Sequence, residues 1–163
     1  SASLLSVNQG ALEAADAVEK TAREGFPLGT IIFLDVEYVT GVSQPLIDYY
    51  KSWIQGVLAD GRFRPGVYMA KSNATALYQS ALAAYAALSR TGAPTFWIAS
   101  SAGFSMSRHP TDVGLSYAEV WQGQFDVSQT WNGGALVIDI DVATSPSPSS
   151  PVPVTAQRID AGR

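Results

Sequence analysis

The chain of 163 residues has no cysteine and a single histidine. Without cysteine there can be no disulfide scaffold, thiol nucleophile or thiolate metal site. A lone histidine makes neither a zinc cluster nor, with no acidic partner arranged around it, a nucleophilic triad. Charge is also scarce: Asp, Glu, Lys and Arg make up 15% of the residues, against roughly 25% in an average soluble domain. Ser, Thr, Gly, Asn and Gln must therefore supply much of the polar surface, a balance that leans towards an extracytoplasmic protein. Ten scattered Lys and Arg against fourteen Asp and Glu, a net charge of −4, form no basic face, which speaks against a nucleic-acid partner. No apolar run approaches the roughly 20 residues of a membrane helix, and the start, SASLLSVNQG, has no basic signal-peptide region. The glycines at 25, 29, 61, 66 and 133–134 form neither GxGxxG nor a P-loop, so no nucleotide cofactor is indicated and none is expected.

What remains is enough apolar material, 47% of residues, for a sizeable core. Ala11, Leu12, Ala15, Val18 and Ala22 form a helical stripe, predicting a helix over Gln9 to Glu24 with Asn8 as cap and Gly25 as stop. Thr30 to Leu34 is short and apolar without alternation, as in a strand buried on both faces of a parallel sheet. A second helix follows Ser43, with Pro45 in its first turn, and then the strand RPGVYMA. Ser72 or Asn73 caps a third helix, Ala74 to Ser89, before the strand TFWIAS. A long loop, Ser101 to Ser116, precedes the strand AEVWQGQ; Asn132-Gly133-Gly134 marks a turn, and ALVIDIDVA is the fifth strand. Such alternation argues for α/β architecture with parallel strands. Residues 1–143 read as one domain and 144–163, Pro/Ser-rich at TSPSPSSPVPV, as an extended linker or tail. The abrupt start and the few residues after the linker suggest part of a longer protein.

The informative polar residues cluster at strand ends. The strand beginning TIIFL ends Asp35-Val36-Glu37, and residues two apart on a strand share a face, roughly 6–7 Å apart. Ligands of parallel α/β sheets sit at the carboxyl ends of the strands. Neighbouring carboxylates split their pKa values, so one can stay protonated as a general acid, the equipment of glycoside hydrolysis. The plainer reading is a helix-capping Asp and a solvated Glu. Tyr68, Trp97, Trp121, Gln122, Asp139 and Asp141 also lie at or near strand ends. Rings that stack on sugar faces, beside amides and carboxylates, suit a saccharide site. Trp97 and Trp121, each taken alone, read more readily as core than as ligand platforms and Trp53 as core outright, while Asp141 reads as a strand terminator. Asp139, flanked by Val137, Ile138 and Ile140, is costly unless paired. His109 reads as an exposed loop residue, and Ser100, Ser101 and Ser105 lack a base.

GTIIFLDVEY, RPGVYMA, TFWIAS, AEVWQGQ and LVIDIDVA, in that order, resemble the bacterial glycoside-hydrolase-like domain family of unknown function, akin to the family 25 glycoside hydrolases, the N-acetylmuramidases. The resemblance covers about Gln9 to Ala143. It implies a TIM-type (β/α)8 barrel of which this chain carries the C-terminal five strands, the missing N-terminal segment being the expected partner of the open sheet edges. It further implies Glu37 as the acid that protonates the glycosidic oxygen and Asp35 as its assistant, orienting or stabilising the substrate's N-acetyl group. Tyr68, Trp97, Gln122 and Asp139 match the family's substrate-binding positions. Gly123 stands where an aromatic commonly follows W-Q, and Asp141 where the last strand commonly carries Asn. The implied activity is hydrolysis of a cell-wall or other N-acetylated polysaccharide by a secreted or envelope-associated bacterial protein. A non-catalytic glycan-binding or regulatory module that keeps the groove is the alternative, and a doubly wound α/β domain with an unrelated ligand a third reading.

Overall fold

The computed structural model describes residues 4–36 and 38–151. Three helices pack on one face of a five-stranded sheet of order β1-β2-β3-β4-β5 that curls into a half-barrel. The strands are β1 (Ile31–Val36), β2 (Arg64–Ala70), β3 (Thr95–Ala99), β4 (Ala118–Trp131) and β5 (Gly134–Ala143).

Helix α1 (Val7–Arg23) begins two residues earlier than expected, and Ser6, not Asn8, caps it by accepting from the Gln9 amide at 3.1 Å. Helix α2 (Gln44–Asp60) is capped by Ser43, and it stops at Gly61, whose φ of 79° suits glycine. The two helices cross closely enough that a Cβ on Gly10 would lie 2.3 Å from the Tyr49 carbonyl oxygen, and one on Gly56 2.6 Å from the Ala14 Cβ. Helix α3 (Lys71–Ala87) follows β2 without a gap. Ala70 occupies its cap position with no side-chain bond, so Ser72 and Asn73 both fall inside the first turn and neither caps it. The helices bury Val67, Met69, Phe96, Ile98 and Trp121 of the sheet beneath Tyr50, Trp53, Ile54, Val57 and Leu77.

β1, β2, β3 and β4 run parallel, as the alternation predicts, but β5 returns antiparallel to β4. Asn132 and Gly133, with φ of 48° and 80°, form a tight turn that can join only antiparallel strands. β4 also runs well past AEVWQGQ, and the outer part of this hairpin stands clear of the helices. Trp131 and Val137 are 73% and 66% exposed, so the apolar residues around Asp139 do not bury it as expected.

The long loop contains one turn of 3-10 helix, Pro110–Val113, which His109 caps through its side chain. Beyond β5, Thr144 donates to the Glu119 carbonyl, Ser149 accepts from the Ile31 amide, and Ser150 accepts from Arg64 Nη2 at 2.9 Å. The first part of the Pro/Ser stretch thus runs from the end of β5 to the start of β1, across the amino-terminal ends of the parallel strands. Residues 152–163 lie outside the described residues. No helix among the described residues is long and apolar enough to cross a membrane.

Candidate functional site

The sheet's side-chain alternation sends one set of residues to the helices and the other to the opposite, concave face. Asp35 pairs in register with Tyr68, and Tyr68 with Trp97, so these three form a row across β1, β2 and β3. Gly66, two residues before Tyr68, leaves room for Phe33; a Cβ there would come within 2.7 Å of its ring. Phe33, Asp35, Tyr68, Trp97, Gln122 and Asp139 together line a cleft of about 370 Å³. Five of the six residues singled out in the sequence therefore meet around one hollow. The sixth, Glu37, follows directly on β1 in the sequence and lies outside the described residues.

The aromatic wall is built of edge-on ring contacts. Trp97 meets Phe33 edge-on at 5.6 Å and Tyr68 edge-on at 5.5 Å. The polar wall is a directed chain: the Tyr68 hydroxyl donates to Gln122 Oε1 at 2.6 Å, and Gln122 Nε2 donates to Asp139 Oδ2 at 2.9 Å. Asp139 Oδ1 accepts the Asp126 backbone N–H at 2.9 Å. That N–H is aimed by a register irregularity between Gln124 and Val127, where Asp126 has a φ of 54°. Asp139 is thus held by hydrogen bonds from neutral donors and remains accessible.

Trp97 also borders a second hollow of about 510 Å³, formed with Val120, Asp141, Ala143 and the segment Thr144, Ser145, Pro146 and Pro148. Its indole N–H donates to Asp141 Oδ1 at 2.8 Å. Partial burial pushes the Asp141 carboxyl above the usual range, the Trp97 bond holds it down, and the charge of Asp139 adds to the rise. Asp141, read from the sequence as a strand terminator, thus anchors the central indole. Trp121 is core: fully buried, it donates to the Ser100 carbonyl at 2.7 Å and meets Phe104 edge-on. Trp53 is core as well, at 2% exposure. Among the described residues no three His, Cys, Asp or Glu are placed to hold a metal.

Residues 2–144 match the family described as Rv2525c-like, glycoside hydrolase-like domain. The chain belongs to that family. As a glycoside hydrolase-like domain it is similar in fold to two solved structures. One is an uncharacterized B. stearothermophilus protein, at a TM-score of 0.58 and 19% identity over 83% of this chain and 62% of that one. The other is the Clostridium perfringens spore cortex lytic enzyme SleM, at a TM-score of 0.55 and 17% identity over 85% of this chain and 46% of that one. The chain thus spans 62% and 46% of their lengths. No curated protein matches it in sequence.

Three residues of this glycoside hydrolase-like domain, one lining the cleft and two packed around its strands, carry no site signal in the sequence. Phe33 reads there as one apolar residue among many. Phe104 lies over Gly123, where a Cβ would sit 1.9 Å from its ring; the ring supplied by the loop occupies space that a larger residue 123 would need. Asn73 is 4% exposed, and its carboxamide is oriented to donate to the Val39 carbonyl and accept from the Val39 amide, both at 3.2 Å. It thereby ties α3 to the loop that leaves β1. In the sequence Asn73 carries only the signal of a helix cap, a role it does not take.

Proposed function

We propose that the cleft binds an N-acetylated polysaccharide of peptidoglycan type and that the domain hydrolyses its glycosidic bonds. The observation that carries this reading is the meeting of Asp35, Tyr68, Trp97, Gln122 and Asp139 at one open hollow on the concave face of the sheet. The indole of Trp97 offers an apolar platform for a sugar ring, and the surrounding oxygens accept from its hydroxyls. On this reading Glu37 is the general acid. Its proton passes to the glycosidic oxygen as the bond to the anomeric carbon breaks, while the substrate's own acetamido oxygen closes on that carbon. Asp35 orients and stabilises the acetamido group. Water then opens the cyclic intermediate, giving a proton back to Glu37. The half-barrel belongs, on the same reading, to a TIM-type barrel, completed by preceding strands of the same protein that act as its partner. A polymeric cell-wall substrate places the protein outside the cytoplasm, secreted or at the envelope.

The likeness of fold to a spore cortex lytic enzyme is in keeping with this proposal. A second reading, a glycan-binding module without turnover, is favoured by the mutual clamping of Tyr68, Gln122 and Asp139, which organises the wall before any ligand arrives. Reducing-sugar release from purified cell wall separates the two. Hydrolysis by the full-length protein that is lost in Glu37→Gln supports the enzyme. Glycan binding without turnover, unaltered by Glu37→Gln, supports the module, and no glycan binding at all defeats both.

A further inference from the structure

Resting on the saccharide reading of the cleft, we infer that Phe125 is a second platform for the same glycan, so that a chain seated against Trp97 continues past Asp139 along the outer hairpin.

The register of β4 against β5 puts Phe125 in that place. Gln124 pairs with Ile140 and Val127 with Ile138, so Phe125 and Asp126 together stand opposite Asp139. Two residues against one make a β-bulge, a feature that redirects side chains beside functional sites. Phe125 is one step from Gln124 and Asp139 one step from Ile140. Alternation therefore gives the ring the face on which Asp139 lines the cleft. The ring lies beyond the cleft's own lining and is 43% exposed. It is five residues along β4 from Val120, the register partner of Trp97, roughly 15 Å at about 3.3 Å per residue. Several linked sugar rings cover that span, and one does not.

The bulge is also tied to the cleft. Asp126 adopts the left-handed conformation, with a φ of 54°, uncommon for a residue other than glycine. Its N–H donates to Asp139 Oδ1 at 2.9 Å, while Asp139 Oδ2 accepts from Gln122 Nε2 at 2.9 Å. One carboxylate thus joins the amide of the cleft to the backbone that carries Phe125. The hairpin's own turn needs none of this, since it is made by Asn132 and Gly133. Beyond Phe125 the same face continues with Ser128 beside Val137 and Thr130 beside Ala135. It offers hydroxyls and apolar surface without charge, a composition that suits a sugar chain.

The test is calorimetric titration of the full chain, carrying Glu37→Gln so that no probe is cut, with the disaccharide and the hexasaccharide of β-1,4-linked N-acetylglucosamine. The hexasaccharide should bind about tenfold tighter or more. Phe125→Ala should remove about tenfold of its affinity and leave the disaccharide unchanged, and Phe125→Trp should keep the gain. If Phe125→Ala does not fold, Phe125→Leu, which keeps apolar bulk without a flat ring, takes its place. Equal affinity for both lengths, or a hexasaccharide indifferent to the loss of the ring, overturns the second platform and leaves the saccharide reading standing. An equal loss for both probes also overturns it, because Phe125 then serves the bulge alone. Failure of both probes to bind the chain overturns the saccharide reading and the platform with it.

Discussion

The Tyr68 hydroxyl reaches from β2 over β3 to the Gln122 carboxamide on β4, a hydrogen bond of 2.6 Å that fixes which way the amide faces. Tyr68→Phe keeps the ring against Trp97 and removes the hydroxyl. Thermal unfolding should show a loss of about 1 kcal/mol, the ordinary value of one such bond. Affinity for N-acetylglucosamine oligomers should fall about tenfold, because Asp139 alone then holds the amide and the Gln122 oxygen loses its donor. A stability loss with affinity unchanged would mean that the bond serves the fold alone.

Gly123 and Phe104 form a lock between β4 and the loop after β3. Because a Cβ at 123 would collide with the Phe104 ring, Gly123→Ala should destabilise by about 1–3 kcal/mol, the usual cost of overpacking. In a Phe104→Ala background the same change should cost little. A denaturant-based double-mutant cycle reads this coupling directly, and additive costs would show that the two sites are independent.

Asp141 carries a carboxyl raised mainly by burial. A carboxylic acid with a raised pKa in the folded state favours folding while it is protonated, and that contribution is lost as pH climbs from about 4 through the raised value. Asp141→Asn keeps an oxygen for the Trp97 N–H and has no charge to desolvate. The unaltered protein should therefore lose stability relative to Asp141→Asn as pH rises through that window. Melting temperatures of both proteins across the acid range would expose a constant difference if this account is wrong.

Asn73 holds both polar groups of the Val39 backbone. Asn73→Ala should cost about 2 kcal/mol, since it strips two hydrogen bonds at a buried position. Asn73→Asp should also destabilise, because a carboxylate cannot donate to the Val39 carbonyl. Limited proteolysis should find the segment 38–43 cut faster in both variants, and cutting unchanged from the unaltered protein would count against this role.

The parallel part of the sheet is legible in the chain because its signals are local. Short apolar runs such as TIIFL, the stop at Gly61 and the Ser43 cap each follow from backbone sterics and burial within a few residues. The shared face of Asp35, Tyr68, Trp97, Gln122 and Asp139 is legible for a similar reason, since period-two alternation sends every second residue to one side; that Gln122 and Asp139 lie mid-strand is not, because the hairpin extends β4 and β5 beyond their apolar runs. The start of α3 differs from the sequence expectation because Ser72 and Asn73 carry the chemistry of caps, while β2 runs straight into the helix at Lys71.

Composition and spacing by themselves determined a cysteine-free α/β domain with carboxylates, rings and an amide at its strand ends, since these follow from residue type and near-neighbour periodicity. Only the tertiary structure decided that β5 turns back along β4, that the amide of Gln122 is clamped between Tyr68 and Asp139, that Trp97 is held by Asp141 and that Phe104 claims the space above Gly123. Those outcomes depend on which distant segments come within a few ångströms of each other, and short-range packing and hydrogen-bond geometry settle that after the chain has folded.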